Sequence, residues 1–242
     1  MGQLKTMRMH DAAANFEATE LEVMKKVLPL QDAVVLELGC GRAWMTRRMA
    51  EDFPLKRIVA TEVDRIQHEK NLLINDLPAV DFKYGGMQAI DLEDSSVDIV
   101  VMLKSLHHVP VEVMGQGFAE IHRVLKPGGS AYISEPVYAG EFNEIMRLFN
   151  DERQVREQAF AAVCWAVMGS GGYKLEDEIF FESPGRYDSW EEFEDRMLKV
   201  THTKHEINAE LYQQIKAAFL QHMTPKGAFF KKPSRVDLLR KV

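Results

Sequence analysis

The sequence contains few cysteines, and their positions limit the kinds of site they can form. Of 242 residues only Cys40 and Cys164 are cysteines. Their spacing matches neither a metal knuckle nor a redox pair, so we expect two reduced, structural thiols. The cysteine content therefore favours a cytoplasmic protein without a cysteine-based metal site.

Long hydrophobic runs are also absent. The longest apolar runs, residues 33–36 and 99–103, are far too short to cross a bilayer. The first eight residues have no apolar stretch after their charges, so the sequence predicts no secretory signal. We expect neither a membrane span nor export from the cytoplasm.

Positive charge is in deficit, because 30 lysines and arginines face 37 acidic residues and give a net charge of −7. This balance argues against a nucleic-acid partner. Basic residues do concentrate in residues 226–241, which we interpret as a solvated strand edge. The expected partner is a small-molecule substrate, bound by a monomer or homodimer.

Short apolar runs alternate with helical patterns through the first half of the chain. Candidate strands lie at residues 33–38, 57–61, 80–84, 97–102, 130–134 and 235–239. One helix precedes the first strand, and apolar residues three or four apart predict another over residues 113–125. Such alternation is typical of a doubly wound α/β sheet with helices on its faces.

The alternation of strands and helices ends after Pro136. Helical patterns occupy residues 141–168, 190–198 and 209–223, and the glycine-rich residues 169–172 break them. We therefore expect one domain in three parts. Residues 1–137 form a core, 138–225 a helical cap over the substrate, and 226–242 the last strand.

A glycine turn, Gly39-Cys40-Gly41, follows the first predicted strand and precedes a helix. This arrangement directs backbone N–H groups at a ligand near the carboxyl edge of a sheet. A dinucleotide fingerprint needs glycine three residues after Gly41, where this chain has Trp44. We expect Trp44 to pack against the N-terminal helix instead. No Gly-Lys-Ser/Thr follows, which also excludes a P-loop.

The residues around this turn resemble the first motif of class I S-adenosylmethionine-dependent methyltransferases. Glu37 stands two residues before Gly39, and Ala43 takes the place of a glycine that the family usually carries. A carboxylate here suits a cofactor with an amino group and a sulfonium, and it repels a pyrophosphate.

The resemblance continues in order along the chain. Glu62 ends the second predicted strand, 25 residues after Glu37, where the family carries an acid that binds both ribose hydroxyls. Asp64 is the second choice for that role. Residues 85–92 resemble the loop around adenine, but Gly86 replaces the usual acid. That contact then falls to the backbone of Met87 and Gln88 and to the Gln88 side chain.

Residues 94–109 and 118–129 match the type 11 branch of these enzymes, and the matched segments together span residues 33–137. The resemblance implies a Rossmann-like, seven-stranded, mostly parallel sheet with helices on both faces and a helical cap insertion. It also implies S-adenosyl-L-methionine as the cofactor. The residues expected to bind it are Glu37, Gly39, Cys40, Gly41, Glu62, Val63, Gly86, Met87, Gln88 and Lys104.

Candidate catalytic residues follow the fourth and fifth predicted strands. His108 is the candidate for a base that takes a proton from an attacking hydroxyl or amine, ahead of His107. Tyr138 and Glu135 are candidates for orienting the substrate. Methyl transfer from a sulfonium often needs only in-line positioning and desolvation, so the alternative that the reaction uses no general base stays open.

The sequence leaves the acceptor open. The resemblance implies methyl transfer to a small molecule by direct displacement. An RNA or protein methyltransferase, a transfer of another group from the same cofactor, and a non-catalytic cofactor-binding protein are the alternatives. His202 and His205 could line a substrate pocket, but no further metal ligand stands at the right spacing, so no metal site is expected.

Overall fold

The computed structural model describes residues 7–11, 16–169, 172–199 and 206–242. Its strands are β1 (Val34–Leu38), β2 (Arg57–Glu62), β3 (Val80–Tyr84), β4 (Val97–Leu103), β5 (Leu125–Pro136), β6 (Tyr173–Tyr187), β7 (Met223–Thr224) and β8 (Gly227–Lys241). Its helices are α1 (Glu20–Val27), α2 (Trp44–Asp52), α3 (Arg65–Asn71), α4 (Val111–Val124), α5 (Glu141–Met146), α6 (Arg153–Met168), α7 (Trp190–Phe193) and α8 (Ala209–Leu220). A 3₁₀ turn covers Leu106–His108, and a π-helical turn covers Glu194–Leu198.

The strands form one mostly parallel sheet, as the sequence predicts. Seven strands follow one another in the order β3-β2-β1-β4-β5-β8-β6, and the short β7 pairs with β8. Strands β1 to β5 are mutually parallel, whereas β8 runs antiparallel to β5 and to β6. The predicted fold class is therefore confirmed, and the carboxyl ends of β1, β2 and β4 meet at one edge.

Helices cover both faces of the sheet because its central strands are apolar on both sides. In β4 nearly every residue is buried, which is typical of a parallel strand between two helical layers. Helices α4 and α6 pack on one face, around Phe118 and Val163. Helices α1 and α2 pack on the other, around Met24 and Met49. No helix in the part of the chain that the structure describes is long and apolar enough to cross a membrane.

The expected helical cap contains a long strand. Strand β6 lies within residues 138–225 and pairs with β8 along its whole length, from Tyr173 opposite Lys241 to Tyr187 opposite Ala228. The pairing of β5 with β8 ends where Pro136 meets Ser234. The last residues of β6 and the first of β8 therefore form a two-stranded ribbon that extends past β5.

This ribbon packs with helices into a third hydrophobic cluster, separate from the two on the sheet faces. Its buried members include Tyr187, Trp190, Phe193, Phe219 and Phe230. We call the ribbon (residues 181–187 and 227–234) with α5, α7, the π-helical turn and α8 the cap. The cap is thus part helical and part strand, where the sequence analysis predicted helices alone.

The basic C-terminal segment is not a solvated strand edge, so that interpretation is wrong. From Ser234 to Arg240, strand β8 pairs with β5 on one side and with β6 on the other, so this part of it is not an edge of the sheet. Arg235 is buried and pairs with buried Asp237, with 2.9 Å between Nε and Oδ2. Lys232 faces a cavity described below.

Candidate functional site

The glycine turn after β1 is held against β2 by its own backbone. The amides of Gly39 and Cys40 both donate to the carbonyl oxygen of Thr61, at 3.0 and 2.9 Å. Gly39 has a φ of 80°, and a Cβ there would lie 2.8 Å from Cβ of Ser105. Gly41 also has a positive φ, of 53°, but a Cβ on it would meet open space. The turn therefore leaves an open backbone surface above Gly41, which we call the cradle.

Ala43 and Trp44 follow this turn at the start of α2. Ala43 is buried with a φ of 58°, in the left-handed region that favours glycine. This explains why a glycine is the usual residue here. Trp44 starts α2 and is 65% exposed, with Arg48 over its ring. The predicted packing of Trp44 against the N-terminal helix is therefore wrong.

Glu62, at the end of β2, connects the two strand ends. Its Oε2 accepts a hydrogen bond of 2.8 Å from the amide of Gly41. Its Oε1 accepts from the amides of Val63 and Asp64, each at 2.8 Å. Asp64 itself caps α3 by accepting from the amide of Ile66 at 2.9 Å. The carboxylate of Glu62 therefore lies directly beside the cradle, and its predicted contact with the ribose stays a prediction.

The side chains of Glu37 and Cys40 are buried beneath the turn and do not reach its open face. Glu37 is 2% exposed, and its carboxyl accepts a hydrogen bond of 2.6 Å from the hydroxyl of Thr46. Burial is the main cause that raises the pKa of Glu37 to about 7; the hydrogen bond from Thr46 opposes this shift, and the charge of Glu62 contributes to it. Burial also raises the pKa of the Cys40 thiol, whose sulfur accepts from Asn71. Both side chains shape the turn from inside.

The loop after β3 meets the end of β2 through residues that the sequence analysis selected. A Cβ on Gly86 would lie 3.0 Å from Cγ1 of Val63 and 2.6 Å from Oε1 of Gln88. Val63 is 57% exposed, so it offers an apolar surface beside this loop. The side chain of Met87 instead points inward and packs on the bare Cα of Gly117 in α4. Met87 can therefore contribute only backbone to this edge.

A cavity of about 310 Å³ opens beyond the carboxyl ends of β4 and β5. It lies between the 3₁₀ turn, the segment after β5, and the cap. Its volume falls within the range of small-molecule sites in proteins. The side chains on which the argument below depends are Lys104, His108, Phe142, Tyr187, Arg196 and Lys232.

Two histidines and two glutamates line or support one side of this cavity. Buried Glu135 contacts Nδ1 of His107 with one carboxylate oxygen and accepts from the amide of Leu106 at 2.9 Å with the other. The rings of His107 and His108 lie 4.1 Å apart. Nε2 of His107 lies 3.8 Å from Oε2 of Glu152. Glu135 thus fixes the orientation of His107, on which the ring of His108 packs.

Among the described residues, His107, His108 and Glu152 are the group that could hold a metal ion. Ligand atoms of His107, His108 and Glu152 all lie within 4.8 Å of one another. Glu152 already binds Arg156, with 2.5 Å between Oε2 and Nη2. Burial opposes ionisation of Glu152, but His107 and Arg156 outweigh it and lower the pKa of the carboxyl. The expectation of a chain without a metal site stays a prediction.

Comparisons with known proteins agree with this geometry. Residues 35–129 match the family model of a methyltransferase domain. A methyltransferase-like protein of Schizosaccharomyces pombe is 37% identical over 99 residues, which are 41% of this chain and 36% of that protein. A protein of Mycolicibacterium smegmatis, named as an S-adenosylmethionine-dependent methyltransferase, is 31% identical over 104 residues, or 42% of this chain and 37% of that protein.

Residues 35–129 of this chain form a methyltransferase domain of the class I S-adenosylmethionine-dependent kind. The match to these curated relatives spans little more than a third of their length. Among solved structures, the YcgJ protein of Bacillus subtilis is similar with a TM-score of 0.58 and 17% identity, over 91% of this chain and 97% of that one. At that identity the likeness shows the fold alone.

The carboxyl edge of the methyltransferase domain fits S-adenosylmethionine. The bare cradle above Gly41 leaves room for a ligand against the backbone. Beside it, Glu62 offers carboxylate oxygens of the kind that bind ribose hydroxyls. Val63 adds an exposed apolar surface suited to the flat face of adenine, and the side chains of Val63 and Gln88 lie close against Gly86. The individual contacts of these residues with the cofactor stay predictions.

Tyr138 lies apart from the cavity that contains His108, although the sequence analysis grouped the two. It is not among the residues that line the cavity. Its ring lies under the guanidinium groups of Arg153 and Arg156, at 4.8 and 5.9 Å. Tyr138 therefore packs the segment after β5. His202 and His205, the other candidates for the pocket, lie outside the described residues.

Lys104 and Lys232 line the same cavity, although the sequence analysis gave them different roles. Lys104 was expected to face the cofactor, and its side chain lines the cavity. Lys232 was assigned to a solvated edge, yet it lines the same cavity, with Nζ 3.1 Å from the hydroxyl of Tyr187. The missed signal for Lys232 is the alternation along the strand, because successive strand residues point to opposite faces and Phe230 and Ser234, two residues away on either side, are buried.

Proposed function

We propose that this protein transfers a methyl group from S-adenosylmethionine to a small-molecule acceptor bound in the cavity. The observation that carries the proposal is the position of that cavity. It lies at the carboxyl ends of β4 and β5, one strand away from the cradle above Gly41. Ligands of open α/β sheets bind at this edge.

The cofactor would lie along residues 39–41, Glu62, Val63 and the loop at Gly86. When bound there it supplies an electrophilic methyl group for in-line attack. The chain itself contributes positioning. Ser105 donates to the carbonyl oxygen of Leu38 at 2.8 Å, which ties the loop after β4 to the glycine turn. Lys104, on the same loop, has a φ of 56° and faces the cavity. The two sites therefore share one fixed loop.

The cap limits access of water to the acceptor. Phe142 and Tyr187 stack with ring centroids 5.9 Å apart and an interplanar angle of 8°, and both line the cavity. Met146 and Met197 add apolar surface. An apolar wall with a few polar groups is typical of a site that orients a small substrate.

His108 is the proposed proton acceptor for an acceptor hydroxyl or amine. Its ring is exposed to the cavity and packs on His107, which Glu135 holds in place. We expect His108→Ala to lower the turnover number by about 10²-fold, with loss of the acid limb of the pH–rate profile. His10→Ala, which changes an exposed histidine elsewhere, should leave both unchanged. An unaltered pH profile in His108→Ala would remove His108 as a base.

The proposal is tested by following the methyl group. The protein is incubated with methyl-labelled S-adenosylmethionine and, in separate samples, the small-molecule, RNA and protein fractions of a cell extract. Mass analysis then identifies what gains the label. We expect label in the small-molecule fraction alone. Label in RNA or protein would contradict the acceptor class, and cofactor binding without label anywhere would contradict catalysis.

A further inference from the structure

The cavity is positively charged although the whole chain is acidic. Four of its lining residues, Lys104, Arg156, Arg196 and Lys232, carry cationic groups, against the single carboxylate of Glu152. Glu152 is already paired with Arg156. Among the described residues no carboxylate forms an ion pair with Lys104 or Lys232. Lys104 and Lys232 are therefore the two basic groups of the wall without a carboxylate partner among the described residues, and Arg196 adds a third whose pair with Glu192 is partly exposed.

The ammonium group of Lys232 lies among aromatic rings and other cationic side chains of the cavity wall. Its Nζ lies 3.8 Å from the ring centroid of Phe142 and 4.9 Å from that of Tyr187. Burial is the main cause that lowers the pKa of Lys232 to about 7, and the charges of Lys104 and Arg196 contribute to this shift. The ammonium is thus held by ring faces and a hydroxyl, which stabilise a cation only modestly. An anion beside the ammonium would offset the cost of its burial and its repulsion from Lys104 and Arg196.

Arg196 reaches the cavity from the π-helical turn. Its guanidinium lies 4.7 Å from the ring centroid of Tyr187 and binds Glu192 at 2.9 Å on the outer surface. Both members of that pair are partly exposed, so solvent screens their attraction. The planar guanidinium keeps further N–H donors for a carboxylate or phosphate group.

We propose that the acceptor is an anion, whose carboxylate or phosphate group binds between Lys232, Arg196 and Lys104 while its apolar part packs on Phe142 and Tyr187. This inference rests on the proposed function in taking the cavity as the acceptor site. It adds the chemical class of the acceptor and assigns its recognition to two cap residues, Lys232 and Arg196. The anion also offsets the positive charge of the cavity wall, so it should bind more tightly than a neutral analogue.

Pairs of small probes that differ only in charge test this inference. Acetate and acetamide, benzoate and benzamide, and phenylacetate and phenylacetamide are titrated into the full-length protein by calorimetry or ligand-observed NMR. We expect at least one anion to bind about tenfold more tightly than its amide, a difference typical of one well-placed charged hydrogen bond. Amides that bind as tightly as their anions, or no binding in any pair, would overturn it.

Two neighbouring lysines provide the matched variants. Lys232→Met should reduce the preference for the anion to less than about threefold. Lys231→Met should keep it, because Lys231 is exposed and pairs with Glu17 and Glu182 instead. If Lys232→Met does not fold, Arg196→Gln replaces it and should lower the preference by about threefold or more. A full preference in the folded Lys232 variant, or in its Arg196 replacement, would contradict the assignment.

A second readout follows Lys232 itself. In protein with ¹³C-labelled lysine, the anion that binds should raise the pKa of Lys232, whereas its amide should leave that pKa unchanged. An unchanged pKa with the bound anion would overturn the proposal. A separate titration with S-adenosylhomocysteine distinguishes this failure from that of the proposed function. Loss of cofactor binding contradicts methyl transfer, whereas loss of charge preference contradicts only the acceptor class.

Discussion

Glu37 and Glu62 lie at the ends of neighbouring strands but bind different partners. Glu62 accepts from three backbone amides beside the cradle, whereas Glu37 accepts from Thr46 in α2 and is buried beneath the turn. The sequence could predict both acids from their spacing with Gly39. It could not predict which of the two carboxylates lies beside the cradle, because that depends on how α2 packs against β1.

The buried Glu37 makes stability depend on pH. Its folded pKa, about 7, lies above the ordinary value of 4.5, so its stabilising contribution is complete below that value and is lost as pH rises through about 7. Glu37→Gln removes this loss. We expect the variant to gain up to about 3 kcal/mol in free energy of unfolding, relative to wild type, between about pH 5 and about pH 8.

Urea denaturation at both pH values measures this gain. Glu69→Gln, an exposed change on α3 with the same loss of charge, is the control and should show almost no pH-dependent difference. An equal effect of Glu37→Gln at both pH values would show that Glu37 is ionised throughout.

Ala43 offers a second test at the scale of one residue. Its φ is positive, a backbone conformation that is strained for a residue with a Cβ but that glycine adopts without strain. We expect Ala43→Gly to raise the free energy of unfolding by up to about 1 kcal/mol. Ala50→Gly, in the middle of α2, should instead lower it by about 1 kcal/mol. Thermal or urea unfolding measures both, and destabilisation by Ala43→Gly would contradict the left-handed assignment.

At the scale of elements, the strands of the core could be predicted and the cap could not. Strands β1, β2 and β4 are short, mostly apolar runs and β3 alternates apolar and charged residues, so their patterns alone identify them. Strand β6 contains many charged residues together with Pro184 and Gly185, which local rules assign to a turn. Its pairing with β8 stabilises it, and such long-range pairing leaves little trace in local sequence.

The aromatic cluster of the cap gives the prediction at this scale. Phe219 in α8 is fully buried among Tyr187, Phe193 and Phe230. We expect Phe219→Ala to cost about 3–5 kcal/mol of stability and to weaken acceptor binding. Leu220→Ala, at the exposed neighbouring position, should cost less than about 1 kcal/mol.

Cofactor binding distinguishes the cap from the core in this variant. Because Phe219 belongs to a hydrophobic cluster separate from those on the sheet faces, folded Phe219→Ala should keep its affinity for S-adenosylhomocysteine. Chemical denaturation and calorimetry on the same sample measure both quantities. A parallel loss of cofactor affinity would contradict the separation of cap and core.

At the scale of the whole molecule, overall charge and local charge have opposite signs. The net charge of −7 is consistent with a protein that does not bind polyanions over its surface. The cavity collects cations from three distant parts of the chain: the loop after β4, the π-helical turn and β8. Composition cannot reveal this, because only the folded chain brings Lys104, Arg196 and Lys232 together.

The most direct test of the methyltransferase assignment is calorimetric titration of the full chain with S-adenosylhomocysteine. We predict one site per chain, weakened by about 1–3 kcal/mol in Glu62→Gln, because Glu62 would lose charged hydrogen bonds to the ribose. Glu69→Gln should bind as wild type does. Absence of binding by the folded wild-type chain would contradict the account.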